Sequence, residues 1–188
     1  ARRTRHILHE TLMRLTVERG YDEISVADIA EAADVGRSTF YSHFTDKDAL
    51  LRSAAGLLRT ELLKEHSAAA ATVGHGHGRA LGFIRFMTEH MQEQRLLYRA
   101  LMRGRGGPIL LELVRQSVCD ILRDELSHGP NVPKDLELTV QFLAGAYMSV
   151  LTWWLDRGAK ERPQAIEDAF RRLALQGLAG THHKPVQP

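Results

Sequence analysis

The sequence has little of several residue types, and each shortage excludes a class of protein. Cys119 is the only cysteine, so an intramolecular disulfide framework is excluded and a reducing compartment is favoured. The 25 Lys and Arg residues nearly balance the 23 Asp and Glu residues, and a net charge of +2 does not by itself indicate a nucleic-acid partner. No uninterrupted apolar run is long enough to span a bilayer, and the first residues lack the apolar core of a signal peptide. We therefore expect a cytoplasmic protein without a membrane segment.

Strand patterns and catalytic motifs are also absent from the sequence. It has no Gly-x-Ser-x-Gly elbow, no His-Glu-x-x-His pair and no glycine loop between a strand and a helix. The glycine-rich run from Gly74 to Gly78 lacks the preceding strand that a dinucleotide-binding fold requires. Apolar residues instead recur at helical spacing along most of the chain. The sequence therefore predicts an all-α protein that is not an enzyme and holds no cofactor.

The most informative segment runs from Ser25 to Leu50 and has the pattern of short helices around a tight turn. Ser25 and Asp28 form a capping-box pattern, so a helix is predicted to begin directly after Ser25. Its periodicity ends at Asp34, a residue type that tolerates the left-handed backbone conformation. Gly36 then serves as the N-cap of a second helix whose exposed side is polar. This arrangement is typical of a DNA-reading helix-turn-helix.

Aromatic anchors and a further cap complete this module. Phe40 and Phe44 are spaced to hold the second short helix against a core, and we expect their loss to unfold the module. Thr45 and Asp48 repeat the capping pattern at the start of a long helix. Upstream, an amphipathic first helix is predicted to end at Gly20.

The segment resembles the N-terminal DNA-binding domain of TetR/AcrR-type bacterial transcriptional regulators. The matching residues are Ile29-Ala30, Ala33, Val35, Tyr41-Ser42-His43-Phe44 and Lys47. The match is specific because spacing, caps, aromatic anchors and a basic residue agree over roughly two dozen positions. Asp34 stands where the family mostly has Gly, and Gly36 stands where it often has Ser or Thr. The resemblance implies an N-terminal three-helix helix-turn-helix domain followed by a C-terminal helical bundle for ligand binding and dimerisation.

Two domains are predicted along the chain, with a boundary near His66. Residues 1–66 would form the helix-turn-helix domain with its connecting helix, and residues 67–188 the regulatory domain. The stretch from Ala68 to Gly78 is low in bulk and rich in glycine, which is typical of a linker or a helix break.

The second short helix and the resemblance together give the candidate DNA contacts. These are Ser25, Arg37, Ser38, Thr39, Tyr41, His43 and Lys47. Arg37 is the best candidate for a bidentate contact to guanine, and the two residues after it can reach base edges or a thymine methyl. The other four are assigned to phosphate. The alternative leaves Thr39 as an unpartnered surface residue and His43 as a packing residue.

The start of the chain carries Arg2, Arg3 and Arg5. Two interpretations stay open for this basic stretch. It is either an arm that touches phosphate or the minor groove, or a disordered and solvated terminus.

A homodimer is implied by the resemblance, through the last two predicted helices of two subunits. The segment from Leu136 to Leu155 is apolar nearly all round, and Pro163 suits the first position of a last helix. The predicted interface residues are Phe142, Ala146, Ser149, Trp153, Ile166, Phe170 and Leu173. Such a dimer would present two recognition helices to a palindromic double-stranded operator, about one DNA turn apart.

The resemblance also implies a small-molecule effector in the second domain, with an apolar or aromatic one favoured. The candidate lining residues are Phe83, Phe86, Met87, His90, Tyr98, Met102, Ser117 and Tyr147. An ordinary core explains the same stripe of methionine and aromatic residues. We expect a repressor that the effector releases from DNA, and the alternative is an architectural DNA-binding protein without an effector.

Histidine and cysteine chemistry is the last possibility. His75 and His77 lack carboxylate or thiolate companions at ligand spacing, so no metal site is predicted. Cys119 is placed by the helical pattern on a polar stripe, with Arg115 and Arg123 nearby. Both a redox-sensing thiol and an inert thiol are compatible with that placement.

Overall fold

The structure is a computed structural model that describes residues 2–72, 81–128 and 132–179, with side chains described over 2–64, 81–128 and 132–175. The described residues form nine α-helices and contain no strand, so the predicted all-α fold is confirmed. The helices are α1 (Arg2–Arg19), α2 (Val26–Ala32), α3 (Arg37–Tyr41), α4 (Lys47–Thr72), α5 (Phe83–Glu93), α6 (Arg95–Met102), α7 (Gly106–Ser127), α8 (Leu136–Asp156) and α9 (Pro163–Ala179).

The local signals that separate the first three helices are confirmed. Ser25 Oγ accepts the Asp28 backbone N–H at 3.1 Å, and Asp28 Oδ2 accepts the Ser25 backbone N–H at 2.8 Å. These reciprocal bonds form the predicted capping box at the start of α2. Asp34 adopts a φ of +52°, which makes it the turn residue between α2 and α3, and Gly36 is the N-cap of α3.

The start of α4 differs from the prediction. The helix begins at Lys47, so the residue before it, Asp46, is the N-cap. Its Oδ1 accepts the Ala49 backbone N–H at 2.7 Å. Thr45 lies one residue too early, and its hydroxyl donates to the Asp46 side chain at 3.2 Å. Asp48, the other half of the expected pair, accepts the Tyr21 hydroxyl at 2.5 Å.

The basic stretch at the start of the chain is helical rather than disordered, and its contact with phosphate or the minor groove stays a prediction. The structure carries α1 back to Arg2, so all three arginines lie in its first turns. The Arg5 guanidinium lies 5.1 Å from the ring centroid of Phe44 and donates to Ser53 Oγ of α4 at 3.3 Å. Arg5 therefore connects α1 with the helix-turn-helix core through Phe44 and with α4 through Ser53.

Helix α4 connects the DNA-binding module to the rest of the chain. It continues without a break past His66, where we predict the domain boundary, and ends at Thr72. Along its length α4 packs first on α1 and then on α5 and α7. The predicted linker lies mostly at residues 73–80, outside the described residues. A helix that contacts both domains can transmit a displacement from one to the other.

The regulatory domain is built around α7, which packs against α4 on one side and α8 on the other. A cluster of aromatic rings joins α5, α8 and α9. The Tyr147 ring meets Phe83 edge-on at 5.7 Å and Phe170 edge-on at 5.5 Å between centroids. Within the described residues, α8 is the one helix long and apolar enough to cross a membrane, and its buried face contacts α7. Core helices of soluble proteins share this length and composition.

The two domains also meet where the α1–α2 loop touches the start of α7. The Asp22 carboxylate accepts the Arg105 backbone N–H at 3.1 and 3.2 Å, and the Arg105 side chain pairs with it at 3.4 Å. Gly106 lies beside this contact, and a β-carbon there would be 2.7 Å from Leu101 Cδ2 and 3.0 Å from Tyr21 Cγ. Both neighbouring side chains are buried. The close approach of the domains therefore depends on the absence of a side chain at Gly106.

We expect Gly106→Ala to destabilise the protein by about 1–3 kcal/mol, because the added methyl overpacks a buried contact. The measurement is the free energy of unfolding in urea. Gly56→Ala on α4 is the matched control, since a β-carbon there meets no atom within 4 Å. That control should be neutral or stabilising by up to about 1 kcal/mol, through helix propensity. Equal stability of the two variants would contradict the close-approach argument.

Candidate nucleic-acid interface and effector cavity

The polar side of α3 is the exposed surface of the helix-turn-helix. Arg37 and Ser38 are exposed, and the Tyr41 side chain is 58% exposed although it is aromatic. Among the described side chains, Arg37 has no hydrogen-bond or ion-pair partner. An unpaired guanidinium on such a helix has all its donors available for a base edge.

Two phenylalanines hold α3 in place beneath this surface. Phe40 is fully buried and Phe44 nearly so, with their ring centroids 6.0 Å apart. Tyr41 packs edge-on against Phe40 at 5.6 Å, and His43 is half-buried with its ring 6.4 Å from that of Phe44. The predicted anchoring role of both phenylalanines is thus confirmed. Because α3 has only five residues, this packing rather than helix propensity fixes its orientation.

Ser25, a predicted phosphate contact, is exposed, but its hydroxyl already forms the capping hydrogen bonds at the start of α2. Its hydroxyl also donates to Asp28, and Arg19 pairs with the same carboxylate at 3.1 Å. The bonds from Ser25, together with Arg19, lower the pKa of Asp28 to about 2. A phosphate contact by Ser25 therefore has to coexist with its capping bonds.

Lys47, also a predicted phosphate contact, has a structural role that sequence reasoning missed. Its Nζ donates to the carbonyl oxygens of Tyr21 at 2.7 Å and Ile24 at 2.6 Å, with a longer contact to Asp22 at 3.4 Å. The ammonium also lies 4.6 Å from the centroid of the Tyr21 ring. Burial at this position lowers the pKa of Lys47. The residue therefore fixes the α1–α2 loop against α4.

A cavity of about 200 Å³ lies where α1 and α4 meet α5, α6 and α7. Its apolar walls include Met13, Leu51, Ala54, Leu58, Leu97 and Leu101. The polar lining residues are Glu61, His90, Gln94 and Tyr98. The His90 and Tyr98 rings meet edge-on with centroids 6.2 Å apart. The cavity thus combines an apolar body with a few polar groups, as ligand sites generally do.

The predicted effector residues do not form one pocket. His90 and Tyr98 line the 200 Å³ cavity, and Phe86 stacks on His90 at 6.3 Å. Met87 and Ser117 line a space of only about 10 Å³, and Met102 lies with Tyr98 at a separate depression of about 210 Å³. The aromatic pair of Phe83 and Tyr147 packs in the core instead.

Sequence reasoning missed the part of the cavity wall that belongs to α4. The helical pattern assigns Leu51 and Leu58 only to the connector, although Ala54 and Ala55 lie between them. Two alanines on the inward side of a leucine-rich helix leave unfilled volume. The smaller side chains at these two positions were the sequence signal that could have indicated the cavity.

Comparison with known proteins identifies the family. A family model described as bacterial regulatory proteins, tetR family, matches residues 8–54. A second model, described as a transcriptional regulator C-terminal region, matches residues 79–176. The chain belongs to the TetR family of transcriptional regulators.

Solved TetR-family structures share the fold over nearly the whole chain. A transcriptional regulator from Syntrophomonas wolfei is 16% identical, with a TM-score of 0.77 and 99% of each chain covered. FadR from Thermus thermophilus, solved with lauroyl-CoA, is 21% identical, with a TM-score of 0.68 and coverage of 98% of this chain and 99% of that chain. RolR, solved with resorcinol, is 22% identical, with a TM-score of 0.65 and coverage of 92% and 87%. At these identities the matches show a common fold.

An apolar face on α8 and α9 of this TetR-family chain is exposed. Phe142 is 65% exposed, Trp153 49% and Leu173 67%, with Ser149 exposed and Ala146 partly so. Ile166 and Phe170 are different, because they are buried within the protomer. The inward side of α9 turns these two predicted interface residues toward α5 and α8, whereas Leu173 lies on its outward side.

Cys119 and the histidines complete the predicted sites. Cys119 is buried rather than accessible, and burial raises the pKa of its thiol. Helix α8 covers it, with Gln141 Nε2 at 3.9 Å from the sulfur. The part of the chain that the structure describes holds no cluster of metal-ligand side chains, and the His75–His77 pair lies outside it.

We expect Lys47→Met to lower stability by about 2 kcal/mol, or roughly 4–8 °C in the thermal midpoint, because loop carbonyls lose charged donors. Amide hydrogen exchange in α2 should accelerate as well. Lys64→Met changes an exposed lysine of the same helix and should leave both measurements unchanged. If Lys47→Met has the stability of the wild type and only its DNA affinity falls, Lys47 acts through phosphate alone.

Proposed function

We propose that this protein is a homodimeric repressor that binds a palindromic operator in the cytoplasm and leaves it when a small molecule binds. The observation that carries the DNA-binding part is Arg37, an unpaired guanidinium on a short helix fixed from beneath by Phe40 and Phe44. A helix held in this way can insert into the major groove with little loss of conformational freedom.

The residues of α3 and its flanks fall into two groups, those that contact bases and those that contact phosphates. Arg37 supplies a bidentate donor for guanine, while Ser38 and Thr39 reach base edges or a thymine methyl. Tyr41 and His43 flank this face and donate to phosphate, which sets register rather than sequence. Ser25 and Lys47 add phosphate contacts from the starts of α2 and α4, secondary to their bonds within the protein.

The dimer is supported by the exposed apolar face of α8 and α9. Phe142, Trp153 and Leu173 lie on the outer side of these helices, where close neighbours would remove them from water. A β-carbon added at Gly145 would meet no atom within 4 Å, so a second helix has room to approach closely there. Pairing of α8 and α9 with their copies gives a four-helix bundle with two-fold symmetry.

Effector release is supported by the cavity beside α1 and α4. Its lining joins the regulatory helices to the two helices that carry the reading head. The structurally similar FadR and RolR were solved with lauroyl-CoA and resorcinol, so proteins of this fold accept a ligand with an apolar acyl chain and one with an aromatic ring. An architectural DNA-binding protein without an effector is the alternative, and the cavity favours the effector-responsive function.

The test of operator recognition is Arg37→Ala. Binding to the DNA upstream of the protein's own gene is measured by fluorescence anisotropy at fixed salt. We expect the variant to bind about tenfold more weakly, near the 1.4 kcal/mol of one base contact. Arg99→Ala, which removes the same charge from the regulatory domain, should leave the affinity unchanged.

Random-sequence DNA is the competitor in the same titration. Tight binding that resists it supports operator recognition. Binding that random DNA displaces equally well, with Arg37→Ala unchanged across a panel of upstream fragments, contradicts the proposed role of α3.

The test of dimerisation is Phe142→Lys, which places a charge on the exposed face of α8. We expect a dimer to become a monomer in sedimentation velocity, because an interfacial ammonium would be desolvated without a partner. Leu96→Lys, at a position of α6 with similar exposure, should remain dimeric. A monomeric wild-type protein would refute the proposed assembly.

A further inference from the structure

Glu61 places a carboxylate at the solvent-exposed mouth of the cavity between α1, α4 and the regulatory helices. Glu61 is the one formally charged residue among those that line it. Over the described side chains, Glu61 has no hydrogen-bond or ion-pair partner. A carboxylate at the edge of an apolar cavity favours a cation as its occupant and disfavours an anion.

The other polar lining groups are acceptors as well. Burial lowers the pKa of His90, so its imidazole is neutral near pH 7 and offers one unprotonated nitrogen. The Tyr98 hydroxyl and the Gln94 amide each offer an oxygen. Glu61, His90, Gln94 and Tyr98 all carry acceptors and line the same cavity, and the His90 and Tyr98 rings lie 6.2 Å apart. The Tyr98 ring adds a surface to which a cation is attracted.

The volume limits the apolar part of the ligand. A dry cavity of about 150 Å³ holds benzene, so about 200 Å³ accommodates one aromatic ring with a short chain. Leu51, Leu58, Leu97 and Leu101 form walls suited to such a ring. A long acyl chain would extend beyond the cavity into solvent.

We propose that this cavity binds a small organic cation, a primary ammonium group joined by a short chain to one aromatic ring, as the effector. The ammonium group lies at Glu61 with His90 and Tyr98 as further acceptors, and the ring lies along α4. This proposal rests on the proposed effector-controlled function. It adds a positive charge to the effector, which the expectation of an apolar or aromatic effector does not include.

The location gives the ligand a way to affect the DNA-binding module. Met13 belongs to α1, and Leu51 and Ala54 belong to the part of α4 that packs on it. A bound ring touches both helices, together with Leu101 at the end of α6. If the cavity is wider in the DNA-free arrangement, ligand binding favours that arrangement by its difference in affinity.

The experiment is isothermal titration calorimetry of the full chain with three matched probes. They are 2-phenylethylamine, the neutral 2-phenylethanol and the anionic 3-phenylpropionate. We expect the amine to bind at least about tenfold more tightly than the alcohol, and the carboxylate more weakly than both. Glu61→Gln should remove the preference for the amine while leaving the affinity for the alcohol unchanged.

Two further variants are controls. Glu93→Gln neutralises a carboxylate that also influences His90 but does not line the cavity, and it should keep the amine preference. Ala54→Leu fills the cavity and should weaken the amine and the alcohol together. Thermal midpoints close to that of the wild type confirm that the variants are folded.

Equal affinities for amine and alcohol, or an amine preference that survives in Glu61→Gln, would overturn the proposal. So would a lack of binding of all three probes. Operator affinity of the unliganded protein is measured in parallel. Intact operator binding without amine binding refutes this inference alone, whereas amine binding without operator recognition refutes the proposed function.

Discussion

The hydrogen bonds from Lys47 to the α1–α2 loop are the interaction on which the arrangement of the two domains depends. The ammonium group holds the carbonyls of Tyr21 and Ile24, which fixes the loop against the start of α4. The same loop carries Asp22, whose carboxylate accepts the backbone N–H of Arg105 just before α7. A carboxylate is well placed at a helix start, since it satisfies a free donor and complements the dipole. The DNA-binding module thereby supplies a capping group for a helix of the regulatory domain.

This junction constrains how the regulatory domain can influence DNA reading. The Asp22–Arg105 contact is largely exposed, so its net contribution to stability is small and it can break and re-form. The packing around Gly106 is tight and buried, so it resists small continuous deformations. The junction therefore combines an exposed polar contact that can break with a buried contact around Gly106 that resists deformation. The cavity at Met13 and Leu51 lies beside α1 and α4.

Features determined by neighbours in sequence could be predicted, and those determined by tertiary packing could not. The capping box at Ser25 and the left-handed turn at Asp34 depend on a few adjacent residues, and both are confirmed. The predicted cap of α4 is wrong by one residue because Thr45 and Asp46 are both good capping residues. The structural role of Lys47 could not be predicted because its carbonyl partners lie 23 and 26 residues earlier in the chain.

The proposed effector site shows the same limit of prediction from sequence. A stripe of methionine and aromatic residues indicates a buried face, but it does not indicate whether that face encloses a void. Phe83 and Tyr147 fill the space between them, whereas His90 and Tyr98 border the cavity left by small residues of α4. Voids arise from the sum of side-chain volumes contributed by several helices. The pattern of a single helix does not show how the side-chain volumes of several packed helices add up, so the void could not be predicted from the sequence.

Helix α8 shows why an apolar helix needs two kinds of partner. Spacing separated its two apolar faces, and the predicted interface residues Phe142 and Trp153 lie on the exposed one. The structure buries Val140, Tyr147 and Trp154 and leaves Phe142 and Trp153 exposed. Two large aromatic side chains in water, on a helix long enough to span a bilayer, would favour association with any apolar surface. A symmetric partner that buries this face in a closed pair removes that tendency, because a two-fold contact leaves no copy of the patch free to recruit further molecules.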